Sequence, residues 1–419
     1  MKKICVIGLG YIGLPTASVL ANHGFKVVGV DINNEIILKV GNGEPHIKEP
    51  GLRTLVESAI KSGNLIVKNV PEEADAFIIA VPTPITKDKR ADLSYVKSAA
   101  ESIVPYLKKG NLVILESTSP PGTTEHFLSP ILAKSNLKIG EELFVAYCPE
   151  RVLPGKILKE LIGNDRVIGG ITLESGLKAK EIYLSFIEGN IYLTDATTAE
   201  MVKLMENTYR DVNIALANEL AGLCEDLGIN AWEVIELANK HPRVNLHKPG
   251  PGVGGHCIPV DPWFIVEKFP EKAKLIKQSR EINDHQPHKV FEIICSMTKD
   301  IPNPKVAVLG VSFKGNVDDA RESPAIELIR LLKKNNFIVA AHDPYVENFE
   351  CELVSLEEAF KGADLAVVLA DHDDYRRLNL RELGMLMRHK KILDTRHVLN
   401  EGLILTEGFI YRLIGKGRI

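Results

Sequence analysis

Residues 3–7 (KICVI), apolar after Lys3, run into Gly8-Leu9-Gly10-Tyr11-Ile12-Gly13, and a helical pattern continues through Leu20 to His23. This predicts a strand, a glycine turn and a helix start. A second strand, KVVGVD, ends in Asp31, and strand-like runs follow at 76–84 (AFIIAVPTP), 112–122 (LVILESTSPPG) and 143–150 (LFVAYCPE), separated by helix-length segments. Strands alternating with helices imply a parallel sheet covered on both faces. From 196 to 227 the period changes: Val202, Met205, Tyr209, Val212, Leu216, Leu220, Leu223 and Leu227 recur at spacings of three and four, one apolar stripe along a single helix. A helix of about 30 residues spans roughly 45 Å, longer than a small domain needs. It is therefore expected to act as a spine between domains, with its stripe forming a dimer interface. After Pro302 the opening logic returns as KVAVLGVSFKG, SPAIELIRLLKKN, FIVAAHDP with Asp343, and ADLAVVLA. The second turn lacks the full glycine fingerprint, so a degenerate nucleotide-binding fold holding a different ligand is expected.

The expected architecture is α/β: two Rossmann-like, doubly wound parallel-sheet domains, 1–195 and 299–419, joined by the long central helix and a helical middle domain, 196–298. A chain of 419 residues exceeds what one hydrophobic core fills. Its 45% apolar and 25% charged residues exclude a disordered or collagen-like chain. With a net charge of −4 and no long basic run, no nucleic-acid partner is expected. Six cysteines without paired spacing argue for reduced thiols in a cytoplasm. The N-terminal MKKICVIGLGYIGLPTASVLA has the lysines and apolar run of a secretion signal, but the same residues make the strand, turn and helix start. No window offers the eighteen or so uninterrupted apolar residues of a membrane span, so a cytoplasmic protein without a membrane partner is expected.

The glycine turn follows a strand and opens a helix, and Asp31 stands eighteen residues beyond Gly13, the context a dinucleotide fingerprint requires. Gly8, Gly10, Tyr11, Ile12 and Gly13 are assigned to the cofactor, and Asp31 to its adenosine ribose. The Asp31 carboxylate would repel a 2′-phosphate, and no arginine follows to receive one, so NAD is favoured over NADP. Thr83 and Thr118 follow strand ends and are assigned to the cofactor or to the space between it and substrate; ordinary turn residues are the other reading.

Lys203, Asn207 and Arg210 share a helix face at spacings of four and three. Two readings stand: a solvated polar face, or a lysine and an amide set to meet a substrate hydroxyl. In 250–264 (GPGVGGHCIPVDPWF), Gly254 and Gly255 bring the backbone close before His256 and Cys257, and a helix is expected after Pro262. A cysteine at or just before a helix N-terminus has its thiol lowered from about 8.5 and is the better nucleophile. The other five cysteines, Cys5, Cys148, Cys224, Cys295 and Cys351, lie in strand-like or helical surroundings and are expected to be inert. His256 and Cys257 with His247 match no structural-zinc spacing, and no metal is expected. An NAD fold with an activated cysteine suggests that an alcohol is oxidised to an aldehyde, trapped as a thiohemiacetal, oxidised again to a thioester and released as an acid, with two NAD consumed.

These residues resemble the nucleotide-sugar dehydrogenases, which oxidise the C6 alcohol of a UDP- or GDP-sugar to a uronate. The resemblance covers nearly the whole chain: IGLGYIGLP, STSPPGT, CPERVLPG, EMVKLMENTYRDVNIALANE, GPGVGGHCIPVDP, GVSFKGNVDDARESP and LDTRHVL. His before the cysteine and Pro-Trp after the aspartate look most like members acting on UDP-N-acetylmannosamine; UDP-N-acetylglucosamine and UDP-glucose are the alternatives. The resemblance implies Cys257 as nucleophile, Lys203 as proton donor and acceptor, Asn207 and Asp261 positioning water or stabilising the oxyanion, and Glu150 assisting thioester hydrolysis. It places Arg151, Val152, Arg210, His241, Arg243 and Gly254 near the sugar nucleotide, with Arg243 from a second subunit. Phe313, Lys314 and Arg396 would serve UDP, and Arg321 the NAD side. A homodimer through the long helix, or a larger homo-oligomer, is implied. A single-step 3-hydroxyacid dehydrogenase shares the NAD fold, long helix and Lys-x-x-x-Asn pair but has no use for Cys257 or a third domain. A sugar-nucleotide or NAD-sensing protein without catalysis would have little reason to keep the lysine, asparagine, cysteine and aspartate together.

Overall fold

The computed structural model describes residues 2–153 and 155–417; Pro154, and Met1, Arg418 and Ile419 at the outer ends of the first and third expected segments, lie outside the described residues. The chain divides into two compact units, Met1–Glu206 with Trp263–Pro270, and Asn207–Pro262 with Glu271–Ile419.

The first unit carries β1 (Lys3–Ile7), β2 (Lys26–Val30), β3 (Leu65–Lys68), β4 (Ala76–Ile79), β5 (Leu112–Leu115), β6 (Phe144–Tyr147), β7 (Arg166–Gly170) and β8 (Ile191–Asp195). They form a sheet in the order β3-β2-β1-β4-β5-β6-β7-β8. Alternate residues of one strand serve opposite layers: Ile4 and Val6 face one core, Cys5 and Ile7 the other. That is the doubly wound arrangement. The expected all-parallel sheet needs one correction, because β7 pairs with β6 antiparallel. The linking chain holds only the seven-residue helix Ile157–Gly163, and an antiparallel neighbour does not require a full crossover helix.

The second unit carries β9 (Lys305–Leu309), β10 (Ile338–His342), β11 (Leu365–Val368), β12 (Lys391–Asp394) and β13 (Ile410–Leu413). Their order is β10-β9-β11-β12-β13, all parallel. Gly310 repeats the role of Gly8: both have positive φ, +89° and +92°.

Between the sheets in sequence stand the helices Ala196–Leu227, Ala231–Ala238, Asp261–Lys268 and Lys274–Thr298. The apolar stripe expected to form a dimer interface is largely exposed in the single chain, at Met205, Tyr209, Leu216, Leu223 and Leu227. The long helix's buried positions include Leu204, Asn207, Thr208, Asp211, Ala215, Asn218 and Cys224. Polar groups can be buried there because they bond one another and the helix Lys274–Thr298.

Candidate active site

Gly8 turns the chain after β1, and its N–H donates to the Val30 carbonyl at 2.8 Å. Asp31 closes this turn: its Oδ2 accepts the Leu9 N–H and its Oδ1 the Asn33 N–H, both at 2.9 Å. A Cβ on Gly13 would lie 1.8 Å from the Gly8 carbonyl oxygen, whereas one on Gly10 would meet nothing within 4 Å. The helix Gly13–Asn22 starts at Ile12 without a side-chain cap and has no acid in its first turn. The Leu14 and Thr16 N–H groups bond the Gly10 and Ile12 carbonyls at 3.1 and 3.0 Å, and the positive end of the helix dipole faces the glycine turn, where it favours an anion. A bare glycine edge, an uncapped helix start and an acid at the end of β2 fit a dinucleotide. Tyr11 is exposed beside them.

The loops after β4 and β5 are tied together by Ser117, whose Oγ accepts the Val81 N–H at 3.0 Å and donates to the Val81 carbonyl at 2.7 Å. Thr83 on the first loop and Thr118 on the second are both half-buried. Two residues before Thr118, Glu116 is buried and accepts the Tyr183 hydroxyl at 2.6 Å. Burial, reinforced by the nearby Glu150 charge, pushes its carboxyl up to about 8 despite the opposing Arg166.

Glu150 follows β6 and presents two faces. Its carboxylate pairs with the buried Arg166, whose guanidinium lies 4.6 Å from the Tyr183 ring centroid. Its carbonyl accepts Lys203 Nζ at 2.7 Å. Arg151 is held by the Asp165 carbonyl at 2.9 Å and by Glu206 at 2.5 Å, and Val152 packs on the core. Arg166, Glu116 and Tyr183 went unread in the sequence, where each is one more residue of an ordinary strand or helix.

In the second unit, Asn207 donates to the Asp261 carboxylate and accepts from Arg210. Asn207 and Asp261 are both buried. Cys257 is half-buried, and its carbonyl accepts the N–H groups of Val260 at 3.0 Å and Asp261 at 2.8 Å. A turn thus intervenes between the cysteine and the helix Asp261–Lys268. The expectation of a cysteine at or just before the helix start is corrected to one a full turn upstream. Pro259 lies within this turn and Pro262 is the second helical residue. The other five cysteines are all pushed up by burial, Cys5 and Cys148 to about 12, as inert thiols should be.

The cysteine loop packs on residues expected to serve UDP and on Arg321, expected on the NAD side. The Gly255 N–H donates to the Arg321 carbonyl at 2.9 Å. A Cβ on Gly250 would lie 3.0 Å from an Arg396 guanidinium nitrogen. Arg396 itself donates to the Leu369 carbonyl at 3.0 Å and the Phe313 carbonyl at 3.3 Å. Lys314 is exposed, on a loop clamped by Asp371 to the Gly315 N–H at 3.0 Å and by His372 to the Asn316 N–H at 2.9 Å. Asp343, the counterpart of Asp31, is already occupied by the Val311 N–H at 2.7 Å, the Ser312 N–H at 3.0 Å and His372 at 3.1 Å. The Arg321 guanidinium forms a two-pronged pair with Asp319, at 2.9 and 2.6 Å. His241 and Arg243 are exposed neighbours, the ring accepting the Arg243 N–H at 3.3 Å. Among the described residues, no three His, Cys, Asp or Glu side chains gather as a metal site. Nor is any helix among them long and apolar enough to cross a membrane.

Comparison with known proteins matches three domains of one family, UDP-glucose/GDP-mannose dehydrogenase: the NAD binding domain over 2–187, the central domain over 197–285 and the UDP binding domain over 307–401. A Methanococcus vannielii protein named UDP-N-acetyl-D-mannosamine dehydrogenase is 53% identical, over 100% of this chain and 98% of its own. The solved UDP-D-ManNAc dehydrogenase from Pyrococcus horikoshii superposes with a TM-score of 0.94 at 43% identity, covering 100% of both chains. The UDP-N-acetyl-mannosamine dehydrogenase from S. aureus does so with a TM-score of 0.90 at 48% identity, covering 99% of each.

Proposed function

The chain belongs to the UDP-glucose/GDP-mannose dehydrogenase family, and we propose that it oxidises the C6 alcohol of UDP-N-acetylmannosamine to the uronate by way of Cys257. The observation that carries this reading is the Asn207–Asp261 bond, which ties the segment after Cys257 to the long helix one turn beyond Lys203. The names of the full-length relatives support the substrate.

Bound NAD supplies the hydride acceptor, twice per turnover. Gly8, Gly10, Tyr11, Ile12, Gly13 and Asp31 would hold it, with Thr83 and Thr118 at the cofactor or between it and the substrate, and Arg321 on the NAD side. Lys203, steadied by the Glu150 carbonyl, takes the C6 hydroxyl proton as the alcohol becomes an aldehyde. The Cys257 sulfur adds to the aldehyde carbon, giving a thiohemiacetal, and the second oxidation leaves a thioester. Water cleaves it, releasing the acid and restoring the thiol. Asn207 and Asp261 hold that water or the oxyanion, where donors fixed in advance contribute most. The Glu150 carboxylate is engaged by Arg166, so we assign Glu150's part to positioning. Phe313, Lys314 and Arg396 bind UDP, while Arg151, Val152, Arg210, His241, Gly254 and a second subunit's Arg243 line the sugar. The protein works as a cytoplasmic homodimer through the exposed stripe of the long helix.

The test is stoichiometry and substrate together. Two NADH per UDP-N-acetylmannosamine, with Cys257→Ser forming no acid yet binding NAD, is expected. One NADH per substrate, or preference for UDP-glucose or UDP-N-acetylglucosamine in a panel of UDP-sugars, overturns the reading.

A further inference from the structure

The far end of the cysteine loop, away from Asp261, is anchored by a buried relay that the mechanism above does not use. Arg280 has no exposed side-chain surface, and neither does Asp211, which it contacts at 2.5 Å. Asp211 Oδ1 also accepts the Asn283 side-chain N–H at 2.8 Å, and the Asp211 carbonyl accepts it at 2.9 Å. Asn283 Oδ1 accepts from Asn218 Nδ2 at 2.9 Å, and Asn218 Oδ1 accepts the Gly250 N–H at 2.9 Å. Asn218 is 2% exposed and Asn283 1%, so neither amide can turn to water instead. The direction of every bond follows from one end. A carboxylate bonded to an arginine only accepts, so the Asn283 NH₂ must face Asp211 and its carbonyl must face Asn218. The Asn218 NH₂ must then face Asn283, which leaves its carbonyl for Gly250.

We propose that Asn218 is a positioning residue for Cys257, fixing the start of the cysteine loop on the long helix as Asn207 fixes its end. The inference rests on Cys257 being the nucleophile. Six residues lie between Gly250 and Cys257, and the loop packs on Phe313 and Arg396 at Gly254 and Gly250. Held at both ends, it presents the sulfur at one place; released at Gly250, it does not. The position requires an amide, which accepts on one side and donates on the other.

That requirement supplies the test. In Asn218→Asp the protonated carboxyl accepts from Gly250 and donates to Asn283 Oδ1, reproducing the amide. The ionised carboxylate places two acceptors face to face. The charged groups at the ends of this relay are Asp211, Arg280 and Asp284 on the two helices and Arg396 beside Gly250. Burial disfavours the ionised form and raises its titration. Asn218→Ala is expected to lower kcat at least tenfold while NAD affinity stays within twofold. The ratio of Asn218→Asp to wild-type kcat is expected to fall reversibly as pH rises, at temperatures where both remain folded. If the alanine variant does not fold, the ratio for the aspartate variant alone decides. A flat ratio, or a loss of NAD affinity as large as the loss of kcat, overturns the proposal. Acid formation by Cys257→Ser would instead overturn the nucleophile assignment, whatever the Asn218 variants do.

Discussion

Gly254 lies so close to Phe313 that a Cβ built on the glycine would stand 2.6 Å from the phenylalanine Cβ and 2.7 Å from the Glu322 carbonyl oxygen. The cysteine loop therefore packs its Gly254 backbone directly against Phe313, a residue expected to serve UDP. Gly254→Ala must push them apart, and forced overpacking costs about 1–3 kcal/mol. Affinity for UDP and kcat are expected to fall together, each about tenfold, with NAD binding retained. Calorimetric titration with UDP and steady-state kinetics measure the two; a change in kcat alone would show that the contact does not couple them.

Glu116 gives the fold a pH dependence. Burial first, and then the Glu150 charge, raise its carboxyl from 4.5 to about 8. Between those values the folded chain keeps a proton that the unfolded chain has released. The stabilisation is complete below the ordinary carboxyl value and is lost as pH rises to about 8, at most ~1.4 kcal/mol per unit. Glu116→Gln is neutral throughout and lacks this loss. Its Tm is expected to gain on wild type steadily between pH 5 and 8 and to level off above. Parallel Tm curves would remove Glu116 as the titrating group.

The glycine turn, Asp31, the second nucleotide-fold repeat and the cysteine loop were legible because each is a local pattern whose spacing fixes its geometry. Gly310 and Asp343 could be read as echoes of Gly8 and Asp31; His372, which helps fill the Asp343 carboxylate, arrives from a distant loop and could not. On the long helix the apolar spacing marks a stripe exposed in the single chain, and the face buried within the chain follows a different pattern. Asn207, Asp211 and Asn218 recur at four and seven, a buried face written in polar residues. That signal becomes interpretable only once Asn283 and Arg280 are known to face it. The Arg166 pairing was hidden for the same reason: partners sixteen residues apart, one three residues past β6 and the other opening β7, declare nothing in sequence.

At the cofactor turn, Gly13→Ala meets backbone rather than a movable side chain, since the added Cβ would overlap the Gly8 carbonyl oxygen. The turn must open, and Asp31 then loses its bond to the Leu9 N–H. NAD affinity is expected to fall at least a hundredfold, followed by fluorescence of bound NADH. Gly10→Ala, which meets no protein atom, should lower affinity only through the ligand itself. Equal stability of the Gly10→Ala and wild-type apoproteins, with weakened NADH binding, would separate the two effects.

The exposed apolar residues of the long helix test the proposed assembly. Tyr209, Leu216 and Leu223 follow one another at seven-residue intervals with Leu227 four further on, and they are 53%, 49%, 55% and 72% exposed in the single chain. Seven residues bring a helix back to nearly the same face, so these side chains form one strip whose burial would stabilise association at about 25 cal/mol per Å². Sedimentation velocity is expected to find a dimer, and Leu216→Asp with Leu223→Asp to give a monomer, since two carboxylates opposite their copies are neither paired nor solvated. NAD binding needs only the turn at Gly8–Gly13 and should survive in that monomer. Turnover should not, because the reading places Arg243 of one subunit at the sugar of the other. Full activity in a monomeric variant would return Arg243 to its own subunit's surface and leave the strip with no part in catalysis.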